Sequence, residues 1–135
     1  MKYLTCILSL ICLTLVCYAP DELPDERGAT ELEYLFYAVC IVESELDSTA
    51  IGRDNDRGIA QITPILELDY FQRKGRRINP FCVKDSREVF MYYAEKRGPE
   101  IERIARRWNA GGKWKGEKAE RYWQKVNREL NKITI

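Results

Sequence analysis

The chain contains no histidine. That absence excludes Ser-His-Asp and Cys-His nucleophile systems and any His-ligated zinc or iron centre. Acid–base chemistry must fall to carboxylate, lysine, tyrosine or cysteine side chains. The sequence also lacks an internal repeat, a convincing pair of strand patterns and an excess of charge of one sign. Its formal net charge is +1 over 135 residues. A dedicated nucleic-acid binder would be clearly basic, so nucleic acid is not expected as a partner. The length fits one domain.

Residues 1–19 carry a single charge, Lys2, and are otherwise almost wholly apolar. A basic start, an apolar run from Tyr3 to Cys17 and a small residue at Ala19 read as a secretory signal. The run is short for a spanning helix, which needs about 20 residues. Pro20 is an awkward residue beyond a cut after Ala19, which leaves an uncleaved membrane anchor as an alternative, and Cys17 raises a lipid anchor as another. Export to the periplasm, cell envelope or exterior is the expectation. Residues 20–28 hold two prolines and read as a linker, leaving 29–135 as the domain. Cys6, Cys12 and Cys17 depart with the leader if cleavage falls after them. Cys40 and Cys82 remain, and a disulfide and two buried thiols fit them equally.

The near-neutral total hides an uneven spread. Residues 21–56 carry a net charge of −9, residues 57–95 a net +2, and residues 96–132 a net +7. Solvated helix faces account for this pattern, as does a basic wall that attracts an anionic polymer.

Helical signals dominate. Thr30 and Glu33 have capping-box spacing, and Leu32, Leu35, Phe36 and Val39 follow at helical intervals, which predicts a helix over 31–44. The stretch 44–58 is rich in Asp, Ser, Thr, Asn and Gly and reads as a loop. Thr63-Pro64 starts a second helix, packed as far as Phe71. Asp85 with Glu88 opens a third that runs to Gly98. Pro99 starts a fourth, with Ile101, Ile104, Ala105 and Trp108 on one face and an end at Asn109-Ala110-Gly111-Gly112. A last helix spans 117–132. The expected class is mainly α.

One carboxylate is oddly placed. Continuing the first apolar stripe by four from Val39 reaches Glu43, on the face that should meet the core. A carboxyl there is partly desolvated and holds a proton toward neutral pH. An earlier helix end would instead leave it in solvent, and the pattern alone does not separate the two. Glu45 begins the polar loop and is expected in water. Asp54-Asn55-Asp56 resembles the start of a calcium loop, but Ile59 and Ile65 stand where that loop needs Gly and Glu, so no metal is expected.

The run Ala38-Val39-Cys40-Ile41-Val42-Glu43-Ser44, followed by Gly58-Ile59-Ala60-Gln61-Ile62, resembles the soluble lytic transglycosylase (SLT) family. Its signature is an apolar helix ending in Glu-Ser, a polar loop, and Gly-apolar-x-Gln-apolar. Trp108-Asn109-Ala110-Gly111 is similar to the family's aromatic-Asn-Ala-Gly motif, and Tyr122-Trp123-Gln124-Lys125-Val126 to its closing Tyr-x-x-x-Val. The three motifs occur in order across about residues 30–127. Two residues depart from the pattern: Trp108 replaces the usual Tyr, and Ala60 stands where a larger residue, often Met, is common, which predicts a roomier groove.

The resemblance implies a lysozyme-like, goose-type-lysozyme-like single domain that cleaves the glycan strands of peptidoglycan as a monomer, without a cofactor. Glu43 would be the sole catalytic acid and base. Ser44 would support the helix end and the bound sugar. Gln61 and the backbone near Ile62 would line the groove, Trp108 and Asn109 would shape its floor, and Tyr122 would close it. Core packing is an equal reading for the two aromatics, and a helix cap for Gly111. A hydrolytic lysozyme using a water near Asp54 or Asp56, and a secreted module that binds glycan or cell-envelope machinery without catalysis, are the alternatives.

Overall fold

A computed structural model describes residues 29–133; the expected leader, with its anchor alternative, and the linker lie outside the described residues. The first helix, α1 (Glu31–Ser44), begins with the expected capping box. The Thr30 hydroxyl accepts from the Glu33 amide at 3.3 Å, and the Glu33 carboxylate accepts from the Thr30 amide at 2.9 Å. Leu35, Ala38 and Val39 are fully buried. Leu35 and Val39 each contribute about 1.5–3 kcal/mol on leaving water.

Four more helices follow: α2 (Pro64–Lys74), α3 (Val83–Glu95), α4 (Ile101–Ala110) and α5 (Glu117–Ile133), with a 3₁₀ turn at Gly111–Lys113. Among the described residues there is no strand, and the domain is mainly α. The α1 helix packs against α5, α4 and α3, and α4 packs against α5. The core gathers Val89 and Phe90 of α3, Ile104 and Ala105 of α4, and Val126 and Leu130 of α5 around α1. Cys40 and Cys82 are both buried. Among the described residues no helix is long and apolar enough to cross a membrane.

Several boundaries differ from expectation for identifiable reasons. The Asp85 carboxylate accepts from the Asn79 amide at 2.8 Å and from Arg76 at 2.7 Å. It therefore fastens the preceding turn instead of opening α3, which starts two residues earlier, at Val83. That helix ends at Glu95, short of Gly98, and α4 starts at Ile101, beyond Pro99. The α2 helix runs past Phe71 until Gly75 closes it at φ 67°.

The polar loop between α1 and α2 is held by its backbone. Arg57 forms bridges with both Ile51 and Ile62, and the Gly58 amide donates to the Ala50 carbonyl at 2.9 Å. Arg57 also forms an ion pair with Glu67, which ties the loop to α2. Gly58 has φ 77°, and a Cβ there would collide with the Pro80 carbonyl oxygen. Gly75 has a similar φ of 67° but open space around it. Gly58→Ala is therefore expected to cost about 3 kcal/mol or more, against about 1 kcal/mol for Gly75→Ala. Urea unfolding of both variants checks the difference, and equal losses would contradict it.

Candidate active site

The α1 helix does not end early. It continues through Ser44, where Glu45 at φ 56° and Leu46 at φ 67° turn the chain away. The Glu45 amide donates to Ile41 at 3.0 Å and the Leu46 amide to Cys40 at 3.4 Å. These left-handed residues, each costing about 1–2 kcal/mol, place Glu43 in the last turn. Ser44 locks that turn: its hydroxyl donates to the Ile59 carbonyl at 2.8 Å and contacts the Cys40 carbonyl at 3.2 Å.

Glu43 projects between α1 and α5 into an open cleft of about 520 Å³. Burial pushes its carboxyl up from the ordinary 4.5 to about 7; the Tyr122 hydroxyl pulls the other way, Asp56 adds to the rise and Lys118 opposes it. The Tyr122 hydroxyl donates to Glu43 Oε1 at 2.7 Å. Tyr122 is itself buried, and burial together with Glu43 holds its hydroxyl well above its usual value, so it stays a donor. A carboxyl that titrates near neutrality in a cleft can give a proton and take one back.

Gln61, Trp108 and Asn109 line the same cleft. Gln61 sits at φ 52°, and its side-chain amide donates to the carbonyls of Gly58 at 2.9 Å and Ala50 at 3.3 Å. The Asn109 Oδ1 is buried without a hydrogen-bond partner among the described residues, an acceptor left for a ligand or water. The Trp108 ring packs on Phe90 with centroids 5.0 Å apart, and its indole N–H donates to the Ala60 carbonyl at 3.2 Å. The two departures from the family pattern thus meet. The larger Trp108 reaches the chain at the small Ala60 and anchors the loop that carries Gln61. Ala60 is fully buried, so the groove is not roomier there.

Two other residues sit differently from expectation. Ile62 does not line the cleft: its side chain is fully buried, and its amide and carbonyl are both spent on Arg57, at 2.9 and 3.0 Å. Tyr122 does not close the groove but supports Glu43 from the core side. Gly111 takes the expected cap role at the end of α4, its amide donating to the Arg107 carbonyl.

Further cleft residues went unassigned at the sequence level. Asp69, Arg97, Arg107 and Lys118 line it too, as do Asp54 and Asp56. The acidic first third and the basic last third of the chain supply side chains to one cleft. The charge partition was the available signal, but it named no residue. Among the described residues no cluster of acidic or cysteine side chains is disposed to hold a metal ion.

The folded protein holds the Glu43 proton to about pH 7, whereas an unfolded chain releases it near 4.5. The folded state therefore binds more protons across that window, and this group's contribution to stability falls as pH rises through it. Glu43→Gln removes that slope. The variant is expected to gain about 2–3 kcal/mol on the wild type between about pH 5 and about pH 8. Urea unfolding at both values reads the gap, and a gap unchanged by pH would contradict the assignment. Comparison with protein-family models, with curated proteins and with solved structures finds no significant match to this chain.

Proposed function

We propose that the protein is an exported peptidoglycan lytic transglycosylase with a lysozyme-like fold. It would cleave the β-1,4 bond between N-acetylmuramic acid and N-acetylglucosamine and close a 1,6-anhydro ring. The observation that carries this reading is Glu43: one carboxyl, titrating near 7 in a cleft and held by Tyr122. The order of the Glu-Ser, Gly-Ile-Ala-Gln and Trp-Asn-Ala-Gly motifs supports it.

Most glycosidases use two acids that flank the bond. In a transglycosylase the substrate replaces the second. Protonated Glu43 donates to the glycosidic oxygen as the bond to the muramic C1 breaks. The 2-acetamido group of that sugar stabilises the developing cation. Ionised Glu43 then removes the proton from the C6 hydroxyl, whose oxygen bonds to C1 and closes the ring. Glu43 ends protonated, ready for another turn. The internal hydroxyl needs no capture from solution, an advantage of proximity. The Tyr122 hydrogen bond steadies the ionised form between the two steps. Asn109 Oδ1 and the cleft face of Gln61 are the polar groups that orient the sugars.

A hydrolytic outcome is the second reading, because Asp54 and Asp56 line the same cleft and could position a water. Product mass separates the two: anhydro fragments are lighter by one water than hydrolysed ones. Purified protein on peptidoglycan is expected to release the lighter fragments. The heavier set would establish the hydrolase, and no fragments would refute both. Glu43→Gln is expected to lower turnover at least about a thousandfold with the fold intact. Wild-type kcat/KM is expected to fall about tenfold per unit above about pH 7, as the acid form is lost. Full activity in the variant, or a flat profile, would overturn the role of Glu43.

A further inference from the structure

Most arginines among the described residues have an acidic partner, among them Arg57 with Glu67, Arg76 with Asp85, Arg87 with Glu33, Arg103 with Glu100 and Arg106 with Glu120. Arg97 and Arg107 break that rule inside the cleft that holds Glu43. Neither forms an ion pair among the described residues. Arg97 Nη1 and Arg107 Nε are buried without a hydrogen-bond partner there. Aromatic rings hold both in place: the Arg97 guanidinium lies over Tyr93 at 5.5 Å and Trp108 at 6.0 Å, and that of Arg107 over Trp114 at 5.2 Å. Burial, and then the neighbouring Arg107, pull the Arg97 guanidinium below its usual value.

Two like charges held close together and partly out of water cost stability unless something neutralises them. Guanidinium groups held against aromatic rings, with unused N–H donors, match a planar, two-oxygen acceptor. We propose that Arg97 and Arg107 form a carboxylate-binding subsite that engages an acidic group carried by the glycan strand. This deepens the proposed function and rests on it. Two such groups exist on the strand: the lactyl carboxyl of an unsubstituted muramic acid, and the free carboxylates of a stem peptide. Arg97 lies within cation–π reach of Trp108, next to Asn109, so the bound carboxylate sets the register of the strand along the cleft. Asp54 and Asp56 line the cleft too, and they repel an acidic group from the positions they flank.

Binding and cleavage are measured separately. In the Glu43→Gln protein, tryptophan fluorescence is titrated with N-acetylmuramic acid, with its lactyl methyl ester, with muramyl-L-alanyl-D-glutamate and with the fully amidated form of that dipeptide. The acid of at least one pair is expected to bind more than about tenfold tighter than its neutral counterpart, and the pair that discriminates names the source. Adding Arg97→Gln or Arg107→Gln is expected to erase the discrimination. Thermal unfolding guards against a merely structural role. Removing an unpaired charge is expected to hold or raise the melting temperature, whereas a drop in both variants would mark the pair as scaffolding and overturn the subsite. In the active enzyme, the kcat/KM ratio for strands with free against amidated carboxylates is expected to collapse toward one in either variant. Equal binding of acids and neutral forms would overturn the subsite and leave the proposed function standing. Carboxylate binding with no cleavage of any strand by the wild type would overturn the proposed function instead.

Discussion

The Tyr122–Glu43 hydrogen bond joins α1 to α5 at the cleft, and the rest of the site is arranged around it. A carboxyl on the apolar face of α1 is costly unless its proton is retained or its charge is met. Burial retains the proton to about pH 7, and the tyrosine lets the charge exist once the proton has left. The packing of α1 against α5 brings the donor to the acceptor. The Ser44 tie to Ile59 and the left-handed pair at Glu45 and Leu46 end α1 just after the carboxyl, where the cleft opens.

Much of this was legible in the sequence because local rules and burial agreed. The capping box at Thr30, the apolar stripe to Val39 and the polar run after Ser44 outlined α1 and put Glu43 in register with its apolar stripe, but left open whether the helix ended before it. What periodicity could not supply was the partner across the fold. Tyr122 lies 79 positions along the chain from Glu43, and its aromatic ring fits an ordinary core position equally well. The misplaced start of α3 has the same origin. Asp85 has the composition of a capping residue, but a turn that folds back onto it, through Asn79 and Arg76, claims its carboxylate.

Ile62 and the Trp108–Ala60 contact show what a motif's position leaves open about the roles of its residues. Motif position suggested that the backbone near Ile62 lines the groove, whereas the hydrogen bonds and burial of Ile62 itself commit it to holding the loop. Trp108 lacks the hydroxyl of a tyrosine but has an indole N–H, which finds the Ala60 carbonyl. The motif around Gln61 is therefore a loop whose shape is kept by Gly58 against Pro80, by Arg57 on both sides, and by Trp108. The cleft charges follow no motif. Among the described residues Arg97 and Arg107 line the cleft with no acidic partner, and no sequence pattern reports that.

The central claim is that a single carboxyl in the cleft exchanges its proton near neutral pH. Titration of the Glu43 side-chain carboxyl by carbon-detected NMR tests it most directly, in the wild type and in Tyr122→Phe. The expected midpoint lies near pH 7 in the wild type and higher in the variant, because the hydrogen bond that favours the charged form has gone. A wild-type midpoint close to 4.5, unmoved by loss of the tyrosine hydroxyl, would contradict the account.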